Sequence, residues 1–295
     1  MYFDFAAKAA SSANSEIYRR RSAGSTVTTT ANRHAPLRAV QITDSHLGER
    51  VGSRLLNLDT DRSLAAVVDL VRAQQAHIDV VLATGDLSDQ GSSAAYRRFL
   101  HATRDLGVHS RWLPGNHDDA AAMRKTLGGD TRMQRNLLLG NWQVIALNSA
   151  VPGEVGGHLG ESELSALRDC LRAAPQHHAL ICVHHHATPV GCAWLDKQLV
   201  ANAESFWSVV DEFPQVRAVL SGHVHQRSET RRGDVRVLTS PSTCVQFAPH
   251  SADFRVDTEA PGYRWLDLHD DGRIETGVER VAAIDFEVDL SATGY

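Results

Sequence analysis

Five short segments of the chain carry residue types that bind hard or borderline metal ions. They are Thr43-Asp44-Ser45-His46, Thr84-Gly85-Asp86-Leu87-Ser88-Asp89, Pro114-Gly115-Asn116-His117-Asp118, His184-His185-His186 and Ser221-Gly222-His223-Val224-His225. Their donors are carboxylate, amide oxygen and imidazole, with no thiolate, a set suited to divalent iron, manganese or zinc. Asp44 and His46 stand two apart, so on an extended chain they face one side and can share an ion. Gly85 permits a sharp turn that exposes Asp86, whose two oxygens can bridge two cations. Asn116 offers an amide oxygen to a hard cation, while His117 beside it can serve as an acid or hydrogen-bond donor near Asp118 or Asp86. His223 and His225 repeat the two-residue spacing.

Each segment alone has a plainer reading. Asp44-Ser45 after a strand is also a helix cap, Asp86 a turn residue bonded to backbone, Pro-Gly-Asn an ordinary turn, and His-x-His a pair held by carbonyls. Taken together they offer ligands for two ions about 3.5–4 Å apart with one carboxylate shared, the arrangement of two-metal hydrolysis.

Elements must bring these segments together, and each segment follows a predicted strand, the end of an α/β sheet where ligands gather. Strands are predicted at Leu37 to Ile42, Asp79 to Ala83, Ser110 to Leu113, Ala179 to Val183 and Ala218 to Leu220, with later ones at Val235 to Leu238 and Arg264 to Leu268. Apolar residues at helical spacing predict helices over Leu64 to Ala73, Tyr96 to Leu106, Glu161 to Ala173 and Ala201 to Asp211. Leu137 to Leu147 reads as a hairpin turning at Gly140-Asn141, and the last strand turns at Asp270-Asp271-Gly272. Helices alternating with strands, then mostly strands, predict a layered α/β protein with a mixed sheet or two stacked sheets. A length of 295 residues suits one large domain. Residues 1–35, small, polar and basic without amphipathic period, are expected to form a disordered tail.

Composition narrows the partners. A net charge of −5 gives no field for holding a polyanion, so no nucleic-acid partner is expected. A small anion held by metal ions remains compatible, because the ions dominate the local charge. Cys170, Cys182, Cys192 and Cys244 show no paired spacing and predict reduced thiols of a soluble cytoplasmic protein. No apolar run reaches the roughly 20 residues that cross a bilayer, so no membrane association is expected. Oligomeric state, monomer or dimer, is left open.

The ordered set Asp44-x-His46, Gly85-Asp86, Gly115-Asn116-His117-Asp118, His184-His185 and Gly222-His223-x-His225 resembles the calcineurin-like metallophosphoesterase superfamily over about residues 37 to 285. The resemblance implies an α/β fold, a four-layer α/β/β/α sandwich of two mixed sheets flanked by helices, over residues 36–285, with 286–295 as a C-terminal extension. It implies two divalent ions, iron with manganese, iron or zinc. Asp44, His46, Asp86 and His225 would hold one, and Asp86, Asn116, His184 and His223 the other. His117 would be catalytic, facing the substrate phosphate, and His46, Asp86, Asn116, His117 and His225 would contact substrate. Which of His184, His185 and His186 is the ligand is the least fixed of these assignments.

A narrower likeness, to the bacterial 3′,5′-cyclic AMP phosphodiesterases of class III, runs through His184 to Asp196, Pro241 to His250 and Asp253 to Tyr263. Ala187 departs from that pattern, which places proline there. The likeness implies hydrolysis of 3′,5′-cyclic AMP to 5′-AMP by in-line attack of a hydroxide between the two ions. Loops around Trp194, Cys244, Gln246, Phe247 and His250 would enclose the nucleobase, Phe247 by stacking and Gln246 by hydrogen bonding, unless Trp194 and Phe247 are core residues. The competing readings are another diester, such as a glycerophosphodiester or 2′,3′-cyclic nucleotide, and a non-catalytic metal-binding scaffold.

Overall fold

Strand β1 (Leu37–Ile42) is buried on both faces, Ala39 toward one apolar layer and Val40 and Ile42 toward another. In the computed structural model, which describes residues 35–282 and 287–294, that two-sided burial sets the architecture. The chain continues through a small hairpin, β2 (Arg54–Leu55) and β3 (Leu58–Asp59), into α1 (Thr60–Gln74), β4 (Val80–Ala83), α2 (Ser93–Thr103), β5 (His109–Trp112) and α3 (Ala120–Leu127). Next come β6 (Asn136–Leu139), β7 (Trp142–Leu147), α4 (Glu161–Ala173), β8 (His178–Val183), α5 (Ala203–Asp211) and β9 (Val216–Ser221). The remainder is strand: β10 (Ser228–Arg232), β11 (Val235–Thr239), β12 (Gln246–Phe247), β13 (Val256–Asp257), β14 (Gly262–Leu268) and β15 (Ile274–Arg280).

Two mixed sheets result. One has the order β15-β14-β1-β4-β5, with β1, β4 and β5 parallel and β14 and β15 antiparallel. The other has the order β10-β11-β9-β8-β7-β6, parallel through its centre with an antiparallel strand at each edge. Side chains alternate across each strand, so Ala39, Val80 and Leu82 meet Trp142, Leu180, Leu220 and Leu238 between the sheets. Val40, Val81 and Trp112 turn outward against Leu64, Val67 and Phe99 of α1 and α2. On the far side Ile145, Ile181 and Val219 pack on Leu164, Leu167, Phe206 and Val209 of α4 and α5. The order is α/β/β/α, the sandwich expected.

The hairpin turns where expected, Leu139 facing Trp142 across Gly140-Asn141, with Gly140 at φ 53°. The short helix α3 and the strands β10, β12, β13 and β15 carry too little apolar pattern to be legible in the sequence. The tail prediction falls outside the described residues except for Ala35. Of the C-terminal segment, Asp289 donates its backbone N–H to the Leu56 carbonyl at 2.8 Å and Val288 packs on Leu55, Leu58, Val245 and their neighbours.

Near the strand ends the space between the sheets turns polar. Gln41 donates to Thr84 Oγ1 at 2.7 Å and to the Ser221 carbonyl at 3.2 Å, and accepts from Ser240 Oγ. Arg264, almost wholly buried, donates to the Thr239 carbonyl at 2.7 Å, and its burial lowers the guanidinium to about 10. This network ties both sheets together directly beneath the histidine-bearing loops.

Candidate metal centre

Residues that leave β1, β4 and β9 do so through an unusual backbone. Asp44, His46, Asp86, His223 and His225 have φ of 54°, 42°, 49°, 66° and 49°. An L-residue in the left-handed region costs about 1–3 kcal/mol and persists only where its surroundings fix it; Asp and His tolerate it better than most. Here the surroundings are hydrogen bonds between loops: Asp44 N–H to the Gly85 carbonyl at 3.0 Å, His46 N–H to the Asp86 carbonyl at 2.9 Å, and Gly222 N–H to the His184 carbonyl at 3.1 Å. Tight approach requires glycine at Gly115, where a Cβ would lie 2.2 Å from Asp86 Oδ1, and at Gly85, where it would lie 2.4 Å from His184 Nδ1.

The five segments meet as a result. Asp86 Oδ2 is 3.2 Å from His184 Nε2 and 3.7 Å from His46 Nε2. The resemblance would place His46 and His184 at different ions, and this one carboxylate oxygen lies near both. Asp44 Oδ1 is 3.5 Å from His225 Nε2 and accepts from the His223 N–H at 3.0 Å, while its Oδ2 accepts from Thr43 Oγ1 at 2.6 Å. Asn116 Oδ1 is 3.2 Å from His184 Nε2. Ligand-type atoms of Asp44, His46 and His225, of Asp44, Asp86 and His184, and of His46, Asp86 and His117 lie within 4.8 Å of one another, as do those of His184, His185 and His223.

The donors fit divalent cations. His184 Nδ1 lies 2.8 Å from the Thr84 carbonyl and His225 Nδ1 2.8 Å from the Val245 carbonyl. A carbonyl only accepts, so Nδ1 carries a proton and Nε2 is turned toward the carboxylates, the way a backbone partner orients a ligand imidazole. Among the described residues, Nε2 of His223 and of His225 is buried without a hydrogen-bond partner, a cost that coordination would remove. Burial pushes the Asp44 carboxyl up, but His225 and His184 outweigh it and hold it below its usual range. Burial likewise opposes ionisation of Asp86, and His184, His46 and His117 hold it well below that range. Burial lowers His46 and, with neighbouring imidazoles, lowers His223 far below its ordinary value. Burial would lower His184 too, yet Asp86 and Asp44 raise it to about 9.

The three consecutive histidines separate by geometry. His184 points among Asp44, Asp86 and Asn116. Both ring nitrogens of His185 are engaged, Nδ1 with Ser149 Oγ at 2.7 Å and Nε2 with the Val155 carbonyl at 3.0 Å. His186 Nε2 faces Asp196 Oδ1 at 3.5 Å. At Ala187 the carbonyl accepts from Trp207 Nε1 at 2.8 Å, which pins the chain.

Of the two carboxylates expected beside His117, Asp86 accepts from its backbone N–H at 2.9 Å, and the ring is held by Asp89 instead of Asp118, Nδ1 lying 3.0 Å from the Asp89 carbonyl and 3.7 Å from Asp89 Oδ1. Asp89 Oδ1 also lies 3.6 Å from His46 Nδ1, and contact with His46 lowers its carboxyl. Asp118 instead clamps loops, accepting from Gly115, Ser88 and Leu87 backbone N–H groups at 2.9, 3.0 and 3.2 Å. Phe247, 1% exposed, stacks on the His225 ring with centroids 4.4 Å apart. Gln246 is buried, its amide N–H groups donated to the Ser242 and Cys244 carbonyls at 2.9 Å each. Phe247 is thus the core residue of the alternative reading, and the Gln246 amide N–H groups are taken up by backbone. The centre opens at half-exposed Asn116 and His117.

A sandwich of this topology with imidazoles and carboxylates gathered at its strand ends defines a dimetal phosphoesterase architecture. A family model for calcineurin-like phosphoesterases matches residues 37–227, and the chain belongs to that family. It is 44% identical over 256 residues to the 3′,5′-cyclic adenosine monophosphate phosphodiesterase CpdA of Pseudomonas aeruginosa, spanning 87% of this chain and 94% of the relative. Identity to the protein of the same description from Escherichia coli K12 is 41%, over 88% and 96%. Among solved structures, a dimetal phosphatase from Danio rerio superposes with a TM-score of 0.62 at 15% identity, over 84% of this chain and 100% of that one, which speaks for the fold alone. No helix among the described residues is long and apolar enough to cross a membrane.

Proposed function

We propose that this protein hydrolyses 3′,5′-cyclic AMP to 5′-AMP at a centre of two divalent ions, iron with manganese, iron or zinc. The observation that carries the reading is the position of Asp86 Oδ2 between His184 and His46, in a chain 44% identical to a cyclic AMP phosphodiesterase over nearly its whole length. Asp44, His46, Asp86 and His225 would hold one ion and Asp86, Asn116, His184 and His223 the other. Bound there, the pair supplies Lewis acidity and makes hydroxide available at neutral pH.

The chain's own part is orientation and proton transfer. Carbonyls of Thr84 and Val245 hold His184 and His225 through Nδ1, so that Nε2 of each ring is directed at the centre, and the proton that Asp86 and Asp44 favour on His184 would have to leave when an ion binds. Asp89 holds Nδ1 of His117 at the open side of the centre, and the proton passed to the departing 3′ oxygen is carried at Nε2. His46, Asp86, Asn116, His117 and His225 are the residues that would meet the phosphate. Residues 36–285 would form one catalytic domain, and the thiols of Cys170, Cys182, Cys192 and Cys244 suit a reducing cytoplasm.

Purified protein assayed on 3′,5′-cyclic AMP, 2′,3′-cyclic AMP, glycerophosphocholine and bis(p-nitrophenyl) phosphate tests the reading. It expects the highest kcat/KM on 3′,5′-cyclic AMP. A higher value on another diester would reassign the substrate, and metal binding without turnover of any would point to a scaffold.

A further inference from the structure

The loop 190–196 reaches a histidine of each half of the centre through one intermediary. On one side Asp196 Oδ1 lies 3.5 Å from Nε2 of His186, which is buried, and the His186 ring stacks on His223 with centroids 5.9 Å apart and 21° between planes. On the other side Trp194 meets Phe247 edge-on at 5.1 Å, and Phe247 lies on His225 at 4.4 Å and 8°. The loop is itself anchored. Asp196 accepts from the Val190 and Gly191 N–H groups at 2.8 and 3.0 Å, and Trp194 Nε1 donates to Ser251 Oγ at 3.2 Å.

A coordinating imidazole must hold its lone pair within about 10–20° of the ion. Close-packed rings transmit displacement to one another. Among the described residues His223 shows no ring-to-carbonyl hydrogen bond of the kind that Nδ1 of His184 and of His225 makes, so its orientation rests on the rings around it, those of His184, His185 and His186.

We infer that Asp196 and Trp194 are positioning residues of the dimetal centre, Asp196 steadying His223 through His186 and Trp194 steadying His225 through Phe247. The inference rests on the reading above, in which His223 and His225 serve different ions. Partners of a ligand histidine typically govern metal affinity by about 10–100-fold.

Zinc titration of 15N-histidine-labelled protein, followed by NMR, reports the His223 and His225 rings separately. In Asp196→Asn, zinc binding at His223 should weaken about tenfold or more while His225 changes by much less. Trp194→Ala should do the reverse, and Trp194→Phe, which keeps an aromatic edge on Phe247, should recover most of the loss. Should Asp196→Asn fail to fold by circular dichroism, His186→Gln removes the same link and carries the same expectation at His223. Titrations matching the unsubstituted protein, or equal weakening of both rings in every variant, would overturn the inference. A parent protein whose rings never respond to zinc would instead overturn the metal reading beneath it.

Discussion

Asp86 is the residue on which the proposed chemistry depends, because its Oδ2 lies 3.2 Å from His184 Nε2 and 3.7 Å from His46 Nε2, histidines of the two proposed ligand sets. Asp86→Asn keeps the volume and removes the charge. It should lose bound metal and lower kcat/KM by about 10³-fold or more, the loss expected when several kcal/mol of charge stabilisation goes; metal analysis beside the cyclic AMP assay checks both. His117→Ala should retain both ions and lower kcat by about 10²–10⁴-fold, the range for a general acid. Loss of metal in that variant would show His117 to be a ligand. Asp89→Ala should lower kcat far less than His117→Ala, since the bond to His117 Nδ1 comes from the Asp89 backbone carbonyl, which the substitution keeps, and only the Oδ1 contacts to His117 at 3.7 Å and His46 at 3.6 Å are lost; the cyclic AMP assay checks it. The convergence of the proposed ligand residues was legible in the sequence because metal chemistry limits residue types and strand ends impose a spacing of two. Asp89 was not, because nothing in Asp86-Leu87-Ser88-Asp89 says which ring, 28 residues later, its carbonyl will meet.

At the scale of elements, the centre is made by sharp exits from parallel strands held by bonds between loops. Gly115 sits where two such loops touch, so Gly115→Ala must push Asp86 or the loop aside. It should lose activity and metal affinity together by about tenfold or more while the far-ultraviolet circular dichroism stays that of the parent. The long helices and central strands were legible because their apolar period is strong and their burial one- or two-sided. Helix α3 was not: only Met123 and Leu127 of its residues are buried, and its start is set by the Asp119 side chain accepting from Ala121 and Ala122 at 2.8 and 2.9 Å. Strand β15 escaped for a related reason, with only Ile274 of its residues buried. Sequence position placed Phe247 and Gln246 beside the centre but left open whether Phe247 was a base-stacking or a core residue, and its 1% exposure favours the core.

At the scale of the whole molecule, the sandwich core and the centre are separable sources of stability. Trp112, 2% exposed and edge-on to Phe99 at 5.0 Å, is far into the outer core, and Trp112→Ala should cost about 3–5 kcal/mol in denaturant unfolding with metal stoichiometry unchanged in the folded fraction. Stripping metal should act from the other end. It leaves buried imidazoles and carboxylates uncompensated, and metal at 100 times its Kd stabilises by about 2.7 kcal/mol, so chelator should lower Tm by several degrees and added manganese should restore it.

The most direct measurement of the central claim is anomalous scattering from crystals grown with manganese. The account predicts two peaks about 3.5–4 Å apart on either side of the Asp86 carboxylate, one reached by Asp44, His46 and His225 and the other by Asn116, His184 and His223. A single peak, or a pair that Asp86 does not bridge, would contradict it.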